Sequence, residues 1–222
     1  MIKAVIFDMF ETLITHYSCP LYFGDQMAAD IGISAEEFRR YWSNTDHDRT
    51  IGRITFDEVI EHILRQTGRY SEELLARIIA RRTATKEECF RHLDEGVIPL
   101  LEQLKKRGIR IGLISNCFSE EAPVIRRSVL AKYFDAMCLS FELGISKPDP
   151  AIFGKCVKLL GVRPSECLYV GDGGSNELEA ASQAGMHPLQ AGWYLIRQNV
   201  LSEERLPEFE LAQTPADVLK YI

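Results

Sequence analysis

The chain has no apolar run approaching the roughly 18 residues that cross a bilayer, so no membrane partner is expected. It has no CxxC pair, and its six cysteines (Cys19, Cys89, Cys117, Cys138, Cys156 and Cys167) lack the density of a disulfide-stapled scaffold. They are read as reduced and mostly packed. No dense block of Lys and Arg appears: 26 basic residues stand against 32 acidic ones, and the formal charge is −6. That balance argues against a nucleic-acid partner while leaving room for a small anion held at one locally positive point. Internal repeats and low-complexity tracts are also missing. The start, MIKAVIFD, enters a strand-like run too short for a signal h-region, so the expected location is cytoplasmic.

What is present is an ordinary globular composition. With 222 residues, 46% hydrophobic and 26% charged, the chain is long enough for one sizeable core plus a smaller insert. The hydrophobic period changes along it. Residues 2–7 read as a short buried parallel strand. From about Leu21 to His92 the pattern is helical and charged, with Ser34, Thr55 and Ser71 placed as N-caps. From Glu95 onward helix and strand alternate. EGVIPLLEQLKKRG is a helix ended by Gly108, IRIGLIS a strand, SEEAPVIRRSVLAKYF a helix and DAMCLS a strand. PDPAIFGKCVKLLG is a helix with Asp149 as N-cap, Pro150 at its first position and Gly161 at its end; CLYVGD is a strand and SNELEAASQAG a helix. This order predicts an α/β fold: a mostly parallel sheet with helices on both faces, interrupted after its first strand by an all-helical insert.

In open parallel sheets ligands bind beyond the carboxyl ends of the strands. Those ends carry Asp8, then Ser115 and Asn116, then Asp172 with Glu177 five positions on, while Lys147 lies in the segment FELGISKPDP. Two carboxylates, a hydroxyl and an ammonium should converge on one crevice. Each residue also has an ordinary reading. Asp8 and Asp172 could be turn acids, Lys147 a solvated loop lysine, Ser115 and Asn116 turn formers, and Glu177 a favourable charge early in a helix.

Taken together, DMFET, ISN, KPDPAIF and VGDGGSNE resemble the four motifs of the haloacid dehalogenase superfamily, most of whose members are phosphatases. The resemblance covers nearly the whole chain. It implies a Rossmann-like core of residues 1–15 and 93–222, a mobile helical cap of residues 16–92, and an active site between them. It further implies that Asp8 is a nucleophile forming an aspartyl-phosphate, with Lys147 and Ser115 assisting. Ser115, Asn116, Lys147 and Phe10 would contact the substrate, a small phosphorylated metabolite. Mg²⁺ would be held by Asp8, the Phe10 carbonyl, Asp172 and Glu177, since a hard cation prefers carboxylate, carbonyl and phosphate oxygens. A monomer or homodimer is expected. Two alternatives stand beside this reading: a metal-independent haloacid dehalogenase, which shares an aromatic residue two positions after the nucleophile, and a non-catalytic relative that keeps phosphate or metal binding.

One position departs from the resembled pattern. The second residue after the nucleophile is usually an aspartate that protonates the leaving group, and here it is Phe10. Glu11 is the neighbouring carboxylate, although its place in the turn aims it elsewhere. Around this region His16 is read as packed or solvated, Arg49 and Arg53 as a solvated cap face, Tyr41 and Trp42 as cap core, and Cys117 as a small buried residue.

Overall fold

In a computed structural model, which describes residues 1–197 and 205–222, the first apolar run forms β1 (Ala4–Phe7), buried throughout. Its pleat serves two cores at once, because Val5 and Phe7 face one apolar cluster while Ala4 and Ile6 face another. A helical stretch follows: α1 (Gly24–Ile31), α2 (Ala35–Trp42), α3 (Asp46–Thr50), α4 (Phe56–Gln66) and α5 (Glu72–Cys89). The caps fall where the sequence places them. Ser34, Thr55 and Ser71 each accept a hydrogen bond from the backbone N–H three residues on, satisfying a donor that the first turn leaves free. These helices close over their own apolar cluster, which includes Tyr22, Phe38, Phe56, Ile60 and Ile78.

The chain then returns to the sheet through α6 (Val97–Lys106), β2 (Arg110–Ser115), α7 (Glu121–Arg127), β3 (Ala136–Leu139), α8 (Ser140–Leu143) and α9 (Pro150–Leu160). It continues through β4 (Cys167–Gly171), α10 (Glu177–Gln183), β5 (His187–Ala191), α11 (Trp193–Arg197) and β6 (Glu210–Ala212). The strands form one six-stranded sheet in the order β3-β2-β1-β4-β5-β6, every pairing parallel, as expected of a Rossmann-like α/β core. β1 is central, and β2 and β4 flank it in register, so the carboxyl ends of these three strands open onto one crevice. Gly112 lets α9 lie close on β2: a Cβ there would stand 2.9 Å from both Cys156 Sγ and Leu160 Cδ1.

Two helices are shorter than their sequence pattern predicts. The one expected over residues 119–134 ends at Arg127, because Ser128 turns extended (φ −66°, ψ 163°) and its hydroxyl donates to the Ile125 carbonyl at 2.8 Å. The one expected from Ser175 starts at Glu177, after Ser175 (φ 57°) and Asn176 (φ 50°) have passed through the left-handed region. That tight loop wraps the carboxylates described next.

Candidate active site

Asp8 stands one residue past β1, its N–H donating to the Val170 carbonyl at 2.9 Å, which carries the ladder beyond the strand end. Lys147, on the loop between α8 and α9, reaches into the same crevice, where its Nζ donates to both Asp8 Oδ1 and Glu177 Oε2. All three residues are buried. Asn116 pins the lysine's backbone from both sides, its Oδ1 accepting from Lys147 N at 2.8 Å and its Nδ2 donating to the Lys147 carbonyl at 3.1 Å. Glu177 is itself anchored. Tyr169 donates to its Oε2 at 2.7 Å and the Gly173 N–H to its Oε1 at 3.2 Å. A Cβ at Gly171 would fall 1.9 Å from Oε1, so only glycine fits beside this carboxylate.

Asp172 completes the cluster. Its Oδ1 accepts from the Gly174 N–H at 3.0 Å and its carbonyl accepts from Gln190 at 2.8 Å. One carboxylate oxygen from each of Asp8, Asp172 and Glu177 lies within 4.8 Å of the others. Three buried carboxylates face one ammonium, and their titration reflects it. Burial, opposed by Lys147 and reinforced by Glu177, pushes the Asp8 carboxyl up to about 7. Burial and the neighbouring Glu177 and Asp8 raise Asp172 well above the usual carboxylate range. For Lys147 burial opposes the charge, but Asp8 and Glu177 outweigh it and hold the ammonium protonated.

The sequence candidates are not equally placed. Asp8, Phe10, Asn116, Lys147, Asp172 and Glu177 line a cavity of about 250 Å³. Ser115 does not line it: the residue is fully buried, and its hydroxyl lies 3.4 Å from the Asn116 carbonyl. Ser175 takes a place in the cavity wall instead.

A second cavity, of about 330 Å³, adjoins the first, and Phe10, His16, Asn116 and Ser175 line both. Its remaining walls come from the inserted helices and from the start of α7: Phe23, Met27 and Trp42, the cations Arg82 and Lys86, then Phe118 and Glu121. His16 stacks on Phe10 at 4.7 Å between centroids and accepts from Lys86 Nζ at 2.6 Å. Burial and the nearby Lys86 hold its pKa below the ordinary histidine range. Lys86 also pairs with Glu121 Oε1 at 2.7 Å, and Arg82 pairs with Glu120 at 3.0 Å. Burial opposes the Glu121 charge, yet Lys86 and Arg82 bring its pKa down to about 2.

Lys86, Arg82, Glu121 and Tyr169 escaped the sequence reading. A signal for the first two existed, because Ile78, Arg82, Lys86 and Cys89 recur at helical spacing on the buried stripe of α5, where two cations are out of place unless paired. Arg49 also differs from expectation. It is fully buried, its guanidinium 3.5 Å from the Trp42 ring centroid and 4.3 Å from that of Phe118, because cation–π contact offsets its desolvation. Arg53 is exposed and pairs with Asp48.

Comparison with known proteins fits this geometry. A family model described as haloacid dehalogenase-like hydrolase matches residues 2–185. A glyceraldehyde 3-phosphate phosphatase of Methanopyrus kandleri is 30% identical over 129 residues, 57% of this chain and 54% of that protein. A phosphoglycolate phosphatase of Aquifex aeolicus is 31% identical over 121 residues, 54% of each. The matched part thus spans about half the length of these relatives. Among solved structures, a phosphatase from Thermococcus onnurineus superposes with a TM-score of 0.67 at 21% identity, covering 99% of this chain and 97% of that one. A 2-haloacid dehalogenase from Pseudomonas syringae gives 0.70 at 24% identity with the same coverage. At such identities both show a shared fold.

Proposed function

This chain belongs to the haloacid dehalogenase-like hydrolases, and we propose that it is a Mg²⁺-dependent phosphohydrolase acting on small phosphorylated metabolites through an aspartyl-phosphate on Asp8. One observation carries this reading: three buried carboxylates crowd within 4.8 Å of one another against a single lysine. Hydrolysis of a carbon–halogen bond requires no such cluster. Phosphoryl transfer does, because charge on the phosphoryl oxygens must be neutralised before a carboxylate can approach. The donor set is all oxygen and suits a hard cation, with Asp8, Asp172 and the Phe10 carbonyl as the residues that would hold it. When bound, the cation would neutralise phosphoryl oxygens and orient the phosphate. Both Glu177 oxygens are occupied by Lys147, Tyr169 and Gly173, so Glu177 is assigned to holding Lys147 and, through water, the outer side of the metal site.

In this mechanism a carboxylate oxygen of Asp8 attacks phosphorus in line and the leaving-group oxygen departs on the opposite side. Water then attacks the same phosphorus, releasing phosphate and restoring Asp8. Lys147 neutralises both nucleophile and phosphate, and Asn116 fixes the lysine's loop. Residues 16–92 act as a cap over the leaving group, which occupies the 330 Å³ cavity among Phe10, Phe23, Trp42 and Phe118. The cations in its wall are already paired with Glu120 and Glu121, so the pocket favours a flat apolar leaving group over a second anion.

The names of the relatives support phosphate monoesters as the substrate class. No helix among the described residues is long and apolar enough to cross a membrane; a cytoplasmic location remains part of the proposal. A panel of phosphorylated metabolites and haloacids, assayed with Mg²⁺ and with chelator, tests the reading. Phosphate release that requires Mg²⁺ supports it, and halide release in chelator would overturn it.

A further inference from the structure

One thiol pair takes no part in this chemistry. Cys19 follows the turn His16–Ser18 on the connection into the inserted helices, and Cys89 ends α5 on the connection out of them. Their Sγ atoms lie 3.1 Å apart across 70 positions of sequence. Both thiols share one acceptor, the Thr85 carbonyl, at 3.9 Å from Cys19 and 3.3 Å from Cys89. Of the six cysteines Cys19 alone is not buried, so it is the one an oxidant in solution meets. Bond formation needs the sulfurs to close by about 1 Å, to the roughly 2.05 Å of an S–S bond.

We propose that Cys19 and Cys89 are a reversible disulfide site that staples together the two connections of the inserted helices. With a peroxide as oxidant, the Cys19 sulfur attacks one peroxide oxygen, the O–O bond breaks, and a sulfenic acid and water form. The Cys89 sulfur then attacks the Cys19 sulfur. The S–S bond forms, the S–O bond breaks, and the departing hydroxide takes the Cys89 proton as a second water. Two thiols lose two electrons and two protons, and one peroxide becomes two waters; a dithiol reverses the bond by exchange. Burial, with Cys19 beside it, pushes the Cys89 thiol up to about 12, so Cys89 is not the thiol that meets the oxidant first, and its attack on the Cys19 sulfur rests on the 3.1 Å proximity rather than on a ready thiolate. The bond closes a long loop and ties the turn bearing His16 to the helix bearing Lys86, groups already 2.6 Å apart. The oxidised chain is therefore held at both connections in the arrangement that surrounds the cavity.

The full chain should be equilibrated in buffers of graded dithiothreitol redox ratio, quenched by alkylation and mapped as peptides without reduction, with thermal unfolding followed in parallel. One linked pair, Cys19 with Cys89, is expected, with Tm raised by about 5–10 °C in the oxidised form and the rise reversed by dithiothreitol. Cys19→Ser and Cys89→Ser should each remove both the linked peptide and the rise while melting like the reduced wild type. Recovery of both thiols alkylated under the most oxidising buffer would overturn the proposal, as would linkage scrambled among the other cysteines, or a correct linkage with no gain in Tm.

Discussion

Glu11 Oε1 lies 3.0 Å from both the ring Nδ1 and the backbone nitrogen of His16. Its other oxygen accepts from the Thr15 hydroxyl at 2.5 Å. Both oxygens are therefore committed to the turn that leads into the inserted helices. Burial alone would raise the Glu11 carboxyl, but the His16 and Thr15 hydrogen bonds outweigh it and hold it below the usual range. A carboxylate this satisfied is a poor proton donor. The backbone agrees, since Glu11 sits at φ 59°, a conformation that non-glycine residues adopt at a cost and that here swings its side chain towards His16.

Glu11→Gln should consequently leave turnover within about threefold of wild type while costing about 1–2 kcal/mol of stability through its weakened hydrogen bonds. Steady-state rates on an aryl phosphate and urea unfolding check both halves. A turnover loss of about 10² would make Glu11 the acid that Phe10 displaced.

Phe10 carries no acid, so on the proposed mechanism the leaving group departs largely unassisted. Rates should fall steeply as leaving-group pKa rises, and aryl or acyl phosphates should be hydrolysed far better than sugar phosphates. Phe10→Asp should raise alkyl phosphate turnover, by up to about 10²-fold where proton transfer limits it. A flat dependence on leaving-group pKa in the wild type contradicts this.

The acidic cluster makes stability depend on Mg²⁺ and pH together. Asp8, at about 7, and Asp172 hold their protons in the folded chain well above the unfolded value of 3.8. As pH rises past 3.8 the unfolded chain releases these protons while the fold retains them. Stability without a divalent cation therefore falls from about pH 4 to about pH 7 on account of Asp8, and further on account of Asp172. A bound cation favours the ionised forms, so the Mg²⁺-induced rise in Tm should grow over the same window, and Asp172→Asn should flatten it. A rise independent of pH would count against the cluster as the metal site.

The buried Lys86–Glu121 pair joins the inserted helices to α7. Lys86→Met leaves Glu121 buried with Arg82 as its remaining basic partner and should cost about 3 kcal/mol at about pH 7. Glu121, lowered to about 2, contributes stability that is present above its unfolded value of 4.5 and lost as pH falls towards about 2. The penalty should accordingly shrink by about pH 3, and Glu121→Gln added to Lys86→Met should recover much of it. Denaturant unfolding of the two variants at both pH values is the check; an equal penalty at both would place the cost in packing.

The legible part of this protein was local. Ser34, Thr55, Ser71 and the Asp149–Pro150 pair announce helix starts because a cap needs only its own neighbours, and Gly161 ends α9 for the same reason. The crevice residues could be listed because a parallel sheet places strand ends together whatever the side chains do. Long-range pairing was hidden. The spacing of Arg82 and Lys86 with Ile78 and Cys89 hints that both are buried, but it does not name their partners Glu120 and Glu121, some 38 and 35 positions later. Arg49 likewise becomes a buried residue through Phe118, a partner on a distant loop. Ser115 does stand at the carboxyl end of β2, as the sequence places it, but its burial depends on packing that the sequence alone does not reveal.

The central claim is covalent catalysis by Asp8, and the most direct test is to trap the intermediate. The protein turning over a radiolabelled aryl phosphate in Mg²⁺ should be quenched in acid and digested, and the base-labile phosphate located by peptide mapping. The account predicts label on the peptide carrying Asp8, at a level set by the ratio of formation to breakdown, with both label and turnover lost in Asp8→Asn. Turnover that persists in Asp8→Asn, with phosphate on another residue or on none, would contradict it.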